Sequence, residues 1–163
     1  MIGLKISDDN VLYVYTPDRY FEAKQDFLEN QIVKNSFFDE AKECFPELFF
    51  HENVKSSLDT LNADYNIVKH HIVCHLKALN EYSILSQHRL DTGISFRDIS
   101  QEISQKYGIE CSPQSGRETV QNLKMKYINK DDNTEEILCC ELHTKLKWNN
   151  MDRKNQDRIY FHP

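Results

Sequence analysis

The sequence is poor in the residues that break or bend a chain: among 163 residues there are four Gly and four Pro. So few glycines exclude a Gly-rich phosphate loop and a collagen repeat, and so few prolines exclude a Pro-rich linker. No run approaches the ~18 consecutive apolar residues of a membrane span, so no membrane contact is expected. The opening MIGLKISDDN has no cationic stretch ahead of a long apolar run and does not read as a secretory leader. None of the five cysteines (Cys44, Cys74, Cys111, Cys139, Cys140) forms a C-x-x-C pair. An odd count without a leader points to free thiols in a reducing compartment, and a cytoplasmic protein is expected. The motifs G-x-S-x-G and H-E-x-x-H are absent, and no Asp…Glu-x-Lys nuclease signature fits the last hairpin, because His143 stands two residues before Lys145. No cofactor is expected.

What is present suits one core. Hydrophobic residues make up 39% and charged residues 28%, and a chain of this length buries roughly two thirds of its unfolded surface. The net charge of −6 is uneven. Residues 137–163 hold five cations against three acids, a balance of +2, while the rest holds fifteen against twenty-three, or −8. The whole chain therefore does not read as a sequence-blind nucleic-acid coat, and a polyanion would meet the C-terminal segment.

Residues 2–6 and 11–15 alternate or are β-branched and aromatic around the turn residues 7–10, which predicts an N-terminal β-hairpin. Thr16-Pro17-Asp18 announces a helix whose stripe includes Phe27, Leu28, Gln31 and Ile32. A second helix starts at Ser36 and breaks near Cys44–Phe45 ahead of Pro46. A short helix is expected over 53–61 and the longest over 64–90, with Tyr65, Val68, Ile72, His75, Leu76 and Leu79 on its buried stripe. Asp91-Thr92-Gly93 ends it. Ser95 caps the next helix, which stops at Gly108. Ser112-Pro113 opens a last helix carrying Val120, Leu123 and Tyr127, followed by an acidic loop over 129–136. From Cys140 the pattern changes to strict alternation, with Cys140, Leu142, Leu146 and Trp148 on one side and polar residues on the other. After a polar stretch, Arg158-Ile159-Tyr160-Phe161-His162 makes the return strand, and it runs to within one residue of Pro163. That strand is then either a sheet edge or the start of a continuation. The expected fold is α+β in a single domain over 1–163. It has an N-terminal β-hairpin (1–15), a helical middle of five or six helices (16–130) and a C-terminal β-hairpin (137–163). Both hairpins are expected in one antiparallel sheet covered on one face by the helices.

Parity within the last hairpin is the most informative feature. If Leu142, Leu146, Trp148, Ile159 and Phe161 are buried, then Glu141, His143, Lys145, Arg158, Tyr160 and His162 share the opposite face. One carboxylate, two imidazoles, two cations and a phenol suit metal-independent phosphodiester cleavage. Glu141 or His143 takes a ribose 2′-hydroxyl proton, His162 protonates the leaving oxygen, Lys145 and Arg158 hold the phosphate and Tyr160 orients or stacks. The bland counterpart is a solvated sheet face. The run Glu141-x-His143-x-Lys145-Leu146 … Arg158-Ile159-Tyr160-Phe161-His162 resembles the late strands of RelE-type toxins, small bacterial ribonucleases, and the tails of bacterial mobile-element or phage-related proteins. The resemblance covers residues 137–163, one sixth of the chain, and implies an RNA substrate and those six site residues. Such toxins are about half this length, basic, and lack the helical middle.

Three further constellations compete. His71, Cys74 and His75 fall within one turn of the long helix at a spacing that can ligate a metal, although His75 on the apolar stripe also reads as a packed residue. Residues 95–127 resemble a helix–turn–helix with the last hairpin as a wing, in which Arg117, Lys124, Lys126 and, on the wing, Lys147 would meet nucleic acid. The aromatic group Phe37, Phe38, Phe45, Phe49 and Phe50 exceeds what one helix face buries. The ranked expectations are an endoribonuclease-like or other nucleic-acid-processing protein; then a non-enzymatic interaction module with a protein partner, antitoxin-like or phage-related; then a winged helix–turn–helix DNA-binding protein.

Overall fold

The computed structural model describes residues 2–5, 11–14, 16–30, 33–86, 93–129, 133–147 and 156–163; the first two stretches, residue 86 and residues 117–118 are described by their backbone alone. The turn at 7–10, Gln31, Ile32, the stretch 87–92 and Trp148 lie outside the described residues.

Strands β1 (Ile2–Lys5) and β2 (Val11–Val14) pair with each other in a separate ladder. Helix α1 (Pro17–Asn30) begins where Thr16 Oγ1 accepts the Arg19 N–H at 3.3 Å. Helix α2 (Phe37–Cys44) follows a 3₁₀ turn and stops at Phe45, because Pro46 disfavours helical backbone in the residue before it. After the short α3 (Val54–Ser57), helix α4 (Tyr65–Ser86) runs 22 residues with neither Gly nor Pro, and Asp64 Oδ1 caps it by accepting the Asn66 N–H at 2.8 Å. Helix α5 (Phe96–Tyr107) is capped by Ser95, whose hydroxyl accepts the Asp98 N–H at 3.2 Å and donates to the Asp98 carboxylate at 2.6 Å. It ends at Gly108, whose φ of 67° is the left-handed conformation that a side chain disfavours.

Beyond Gly108 the chain departs from the expected architecture. The segment that follows is a strand, β3 (Cys111–Pro113), and α6 (Arg117–Asn122) has six residues. Lys124–Ile128 is strand β4, paired antiparallel with β5 (Glu135–Cys139). Lys-Met-Lys-Tyr-Ile alternates at period two, and that alternation outweighs the helical spacing of Val120, Leu123 and Tyr127. The acidic loop expected over 129–136 gives only its last two residues, Glu135 and Glu136, to the second strand of this ribbon; ahead of them the Asn129 N–H donates to the Thr134 carbonyl at 2.9 Å and Asn133 has φ 62°. The last strands, β6 (Leu142–Lys145) and β7 (Arg158–Phe161), pair with β3 in the order β3-β6-β7. The expected single sheet joining an N-terminal and a C-terminal hairpin is therefore overturned. The five strands that build the α+β fold lie between residues 111 and 161, in two small antiparallel sheets, and no N-terminal hairpin belongs to either.

The core has two lobes. The first gathers Leu28, Phe37, Phe38, Ala41, Cys44, Phe45 and Leu58 against Val68, Ile72, Val73 and Leu76 of α4, closed by Leu146. The second gathers Leu79 and Tyr82 of α4 with Ile99 and Ile103 of α5, Cys111 and Leu142. Of the aromatic group, Phe37, Phe38 and Phe45 are core, whereas Phe49 is exposed and stands edge-on to Tyr127, their ring centroids 5.0 Å apart. Helix α4 contributes to both lobes, as do Leu142 of β6 and Leu146 just after it, and between the lobes His75 Nδ1 lies 2.8 Å from Thr144 Oγ1, both residues buried. Below the lobes Asp157 Oδ1 accepts from the Asn62 N–H and Nδ2, at 3.0 and 2.9 Å, and anchors the entry to β7.

Replacing Thr144 with Val keeps the shape but strands the His75 nitrogen in the core. It should lower unfolding stability in urea by ~1–3 kcal/mol. The double variant His75→Leu, Thr144→Val should recover most of that loss. Simple additivity of the two single losses would refute the coupling.

Candidate functional site

Strand β6 lies between β3 and β7, so its side chains meet neighbours on both flanks. Leu142, Thr144 and Leu146 turn inward with Cys111, Ile159 and Phe161. The register sets Ser112, His143 and Tyr160 in one row across the three strands, with Lys145 and Arg158 opposite each other in the next. Glu110 extends the second row, its carbonyl accepting the Lys145 N–H at 2.9 Å.

In the first row His143 is only 4% exposed, although it belongs to the polar face. Its Nε2 lies 3.3 Å from Ser112 Oγ and its ring centroid 5.3 Å from that of Tyr160. Its Nδ1 has no hydrogen-bond partner among the described residues. Burial, then the nearby Arg158 and Lys145 cations, push the imidazole's pKa down to about 4, so it is neutral at pH 7. In the second row Glu110 bridges two ammonium groups: Oε1 pairs with Lys145 Nζ, and Oε2 lies 2.8 Å from Lys147 Nζ. Hydrogen bonds from the two lysines bring its carboxyl down to about 2. Arg158 is exposed and its Nη1 donates to the Tyr160 hydroxyl at 3.3 Å. The face thus presents three cations (Lys145, Lys147, Arg158) against one carboxylate, with a phenol beside the guanidinium.

The other two residues of the proposed set stand apart. The Glu141 carbonyl accepts the Gln114 N–H at 2.8 Å, and its carboxylate lies 3.9 Å from Cys139 Sγ, toward the β4–β5 ribbon. His162 follows β7, exposed, its ring centroid 6.2 Å from that of Phe96 in α5. Glu141 acts on His143 through its backbone and not through its carboxylate, and among the described residues no hydrogen bond, ion pair or ring contact joins His162 to His143 or Arg158. The sequence reading misses Glu110 and Ser112 because they follow a helix stop and Ser112-Pro113 reads as a helix start. The alternation Ile109-Glu110-Cys111-Ser112 was the available signal.

The competing sets are dispersed. Lys124 and Lys126 are exposed on β4, a strand rather than a reader helix, and Lys126 pairs with Glu135 at 2.8 Å. Arg117 opens α6, and its side chain lies outside the described residues. His75 faces Thr144, His71 is half-buried, and Cys74 is exposed with Sγ 3.7 Å from Nε2 of His70, which pairs with Glu29. Among the described residues no group of three or more His, Cys, Asp or Glu side chains is placed to hold a metal ion.

Two buried imidazoles make a pH prediction. His75, like His143, has its pKa lowered to about 4, mainly by burial, so folding favours the neutral form of both. The unfolded chain takes up these protons first as pH falls. The stabilisation is complete above the ordinary value of 6.5 and is lost between there and about 4. The unfolding free energy from urea titrations should fall from pH 7 to pH 5 at up to ~1.4 kcal/mol per pH unit for each imidazole. Glu110 contributes only below its ordinary 4.5. A flat profile between pH 7 and 5 would contradict the assignment.

No protein-family model, curated protein or solved structure matches this chain.

Proposed function

We propose that the polar face of the β3-β6-β7 sheet binds the phosphodiester backbone of single-stranded RNA. The observation that supports this reading is the cross-strand row Lys145–Arg158, continued by Lys147 and topped by Tyr160. Arg158 offers a planar fork to a phosphate, and Lys147, on the exposed side of Glu110, adds a second cation. Tyr160 supplies a ring on which a base stacks, as single-strand binders use aromatic residues. The acidic remainder of the chain restricts a polyanion to this face.

The same geometry favours binding over cleavage. A general base needs an accessible proton acceptor within hydrogen-bond reach of the substrate. His143 is buried and neutral beneath Tyr160, and Glu141 and His162 point elsewhere. Of the groups proposed for a RelE-type reaction, those that hold phosphate share the outer face, whereas His143 lies buried beneath it and the side chains of Glu141 and His162 lie apart.

Fluorescence anisotropy with a labelled single-stranded RNA tests the reading. Binding should weaken with salt at a log–log slope of about −1.5, as for two phosphates. Arg158→Ala, Lys147→Ala should lower affinity at least tenfold, and Tyr160→Ala should cost ~1–3 kcal/mol, while Tyr160→Phe costs less. EDTA should leave binding unchanged and the RNA intact. Equal binding by parent and double variant would remove the proposal. Strand cleavage that disappears in His143→Ala, Arg158→Ala would replace it with a ribonuclease. A non-enzymatic interaction module is the second reading. It draws on Ile128 and Ile137, 59% and 66% exposed beside Lys124 and Lys126 on the β4–β5 ribbon.

A further inference from the structure

A second charged feature lies away from the sheet, at the start of α4. Lys69, one turn into that helix, is 7% exposed. No carboxylate lies within ion-pair distance of its ammonium group among the described residues. Its neighbour is the Tyr65 ring, with Nζ 5.8 Å from the centroid. The apolar stem of Lys69 is packed and its ammonium group opens on a cleft, with no carboxylate beside it among the described residues.

That cleft has a volume of about 570 Å³, within the range that holds small organic ligands. The acids in its wall are already engaged. Asp59 pairs with Lys34 at 2.6 Å, and Asp64 caps α4 through the Asn66 N–H. Lys34 and Asp59 pair with each other and Asp64 faces the helix end, which leaves Lys69 as the lining cation without an ion-pair partner among the described residues. Leu58, Leu61 and Ala63 give the same cleft an apolar side.

We propose that this cleft binds a small organic anion that carries one carboxylate or phosphate group on a short apolar body. The anion supplies Lys69 with the counter-ion that the fold does not, and the apolar body lies along Leu58 and Leu61. The site is independent of the RNA face and uses none of its residues.

Two-dimensional amide NMR of the full chain, titrated with sodium hexanoate and separately with inorganic phosphate at constant ionic strength set by chloride, tests this. One probe or both should shift the Leu61, Asn66 and Lys69 amides saturably. Hexanoate acting alone identifies a carboxylate with an apolar body, and phosphate acting alone identifies a phosphate group. Lys69→Met should weaken the response at least tenfold, whereas Lys55→Met and Arg158→Ala should titrate like the parent. No shift beyond that of chloride in the parent overturns the proposal, and so does an unaltered titration of Lys69→Met. Because the parent titration alone can overturn it, a misfolded Lys69→Met does not protect the idea. In that case Lys69→Arg, which keeps the charge, should bind and Lys69→Gln should not.

Discussion

The hydrogen bond between His75 and Thr144 fixes the position of the sheet on the helices. Apolar packing is non-directional and tolerates sliding. A buried imidazole that needs a hydroxyl partner does not, because a slip of β6 by one residue would set His143 or Lys145 against the core and turn Leu142 and Leu146 outward. Since α4 and the segment from Leu142 to Leu146 each run through both lobes, one bond at their crossing orders the two lobes together. The outward row of Tyr160 and Arg158 follows from that order: β7 pairs with β6 residue by residue, and its parity is inherited.

The outer face has its own electrostatic logic. Glu110 draws Lys145 and Lys147 to one carboxylate and leaves Arg158 turned to solvent. An imidazolium at position 143 would stand beside Arg158 and Lys145, and its neutrality removes that repulsion. His143 therefore acts as packing under Tyr160, with Ser112 at its other edge. A site that looks rich in ionisable groups in one dimension becomes, in three, a cation patch on a neutral floor.

The helical body was legible because its signals are local. Thr16-Pro17, Ser95 with Asp98 and Gly108 mark helix ends by chemistry confined to a few residues, and the stripe Val68, Ile72, Leu76, Leu79 has the period that a helix imposes. The parity of the last hairpin was legible for the same reason: alternation is a property of each strand alone. Strand partners were not. Nothing within residues 111–113 states that they will pair with residues 142–144, and a helix stop followed by Ser-Pro mimics a helix start. Lys124–Ile128 carries both periods at once, and only its partner Glu135–Cys139 decides between them. Whether Glu141 and His162 reach the cluster depended on which neighbours drew them away, Cys139 and Phe96, and both of those contacts are tertiary.

The placement of β6 has a consequence for the order in which the chain comes together during synthesis. Helices α1 to α5 emerge from the ribosome first, but the wall that closes both lobes is made of Leu142, Leu146 and Ile159. Until those residues appear, the nascent helices hold an open apolar trough lined by Phe37, Phe45, Val68 and Ile103, the kind of surface that chaperones shield. Closure is therefore a late event, and a chain interrupted before β6 is an aggregation hazard rather than a smaller domain.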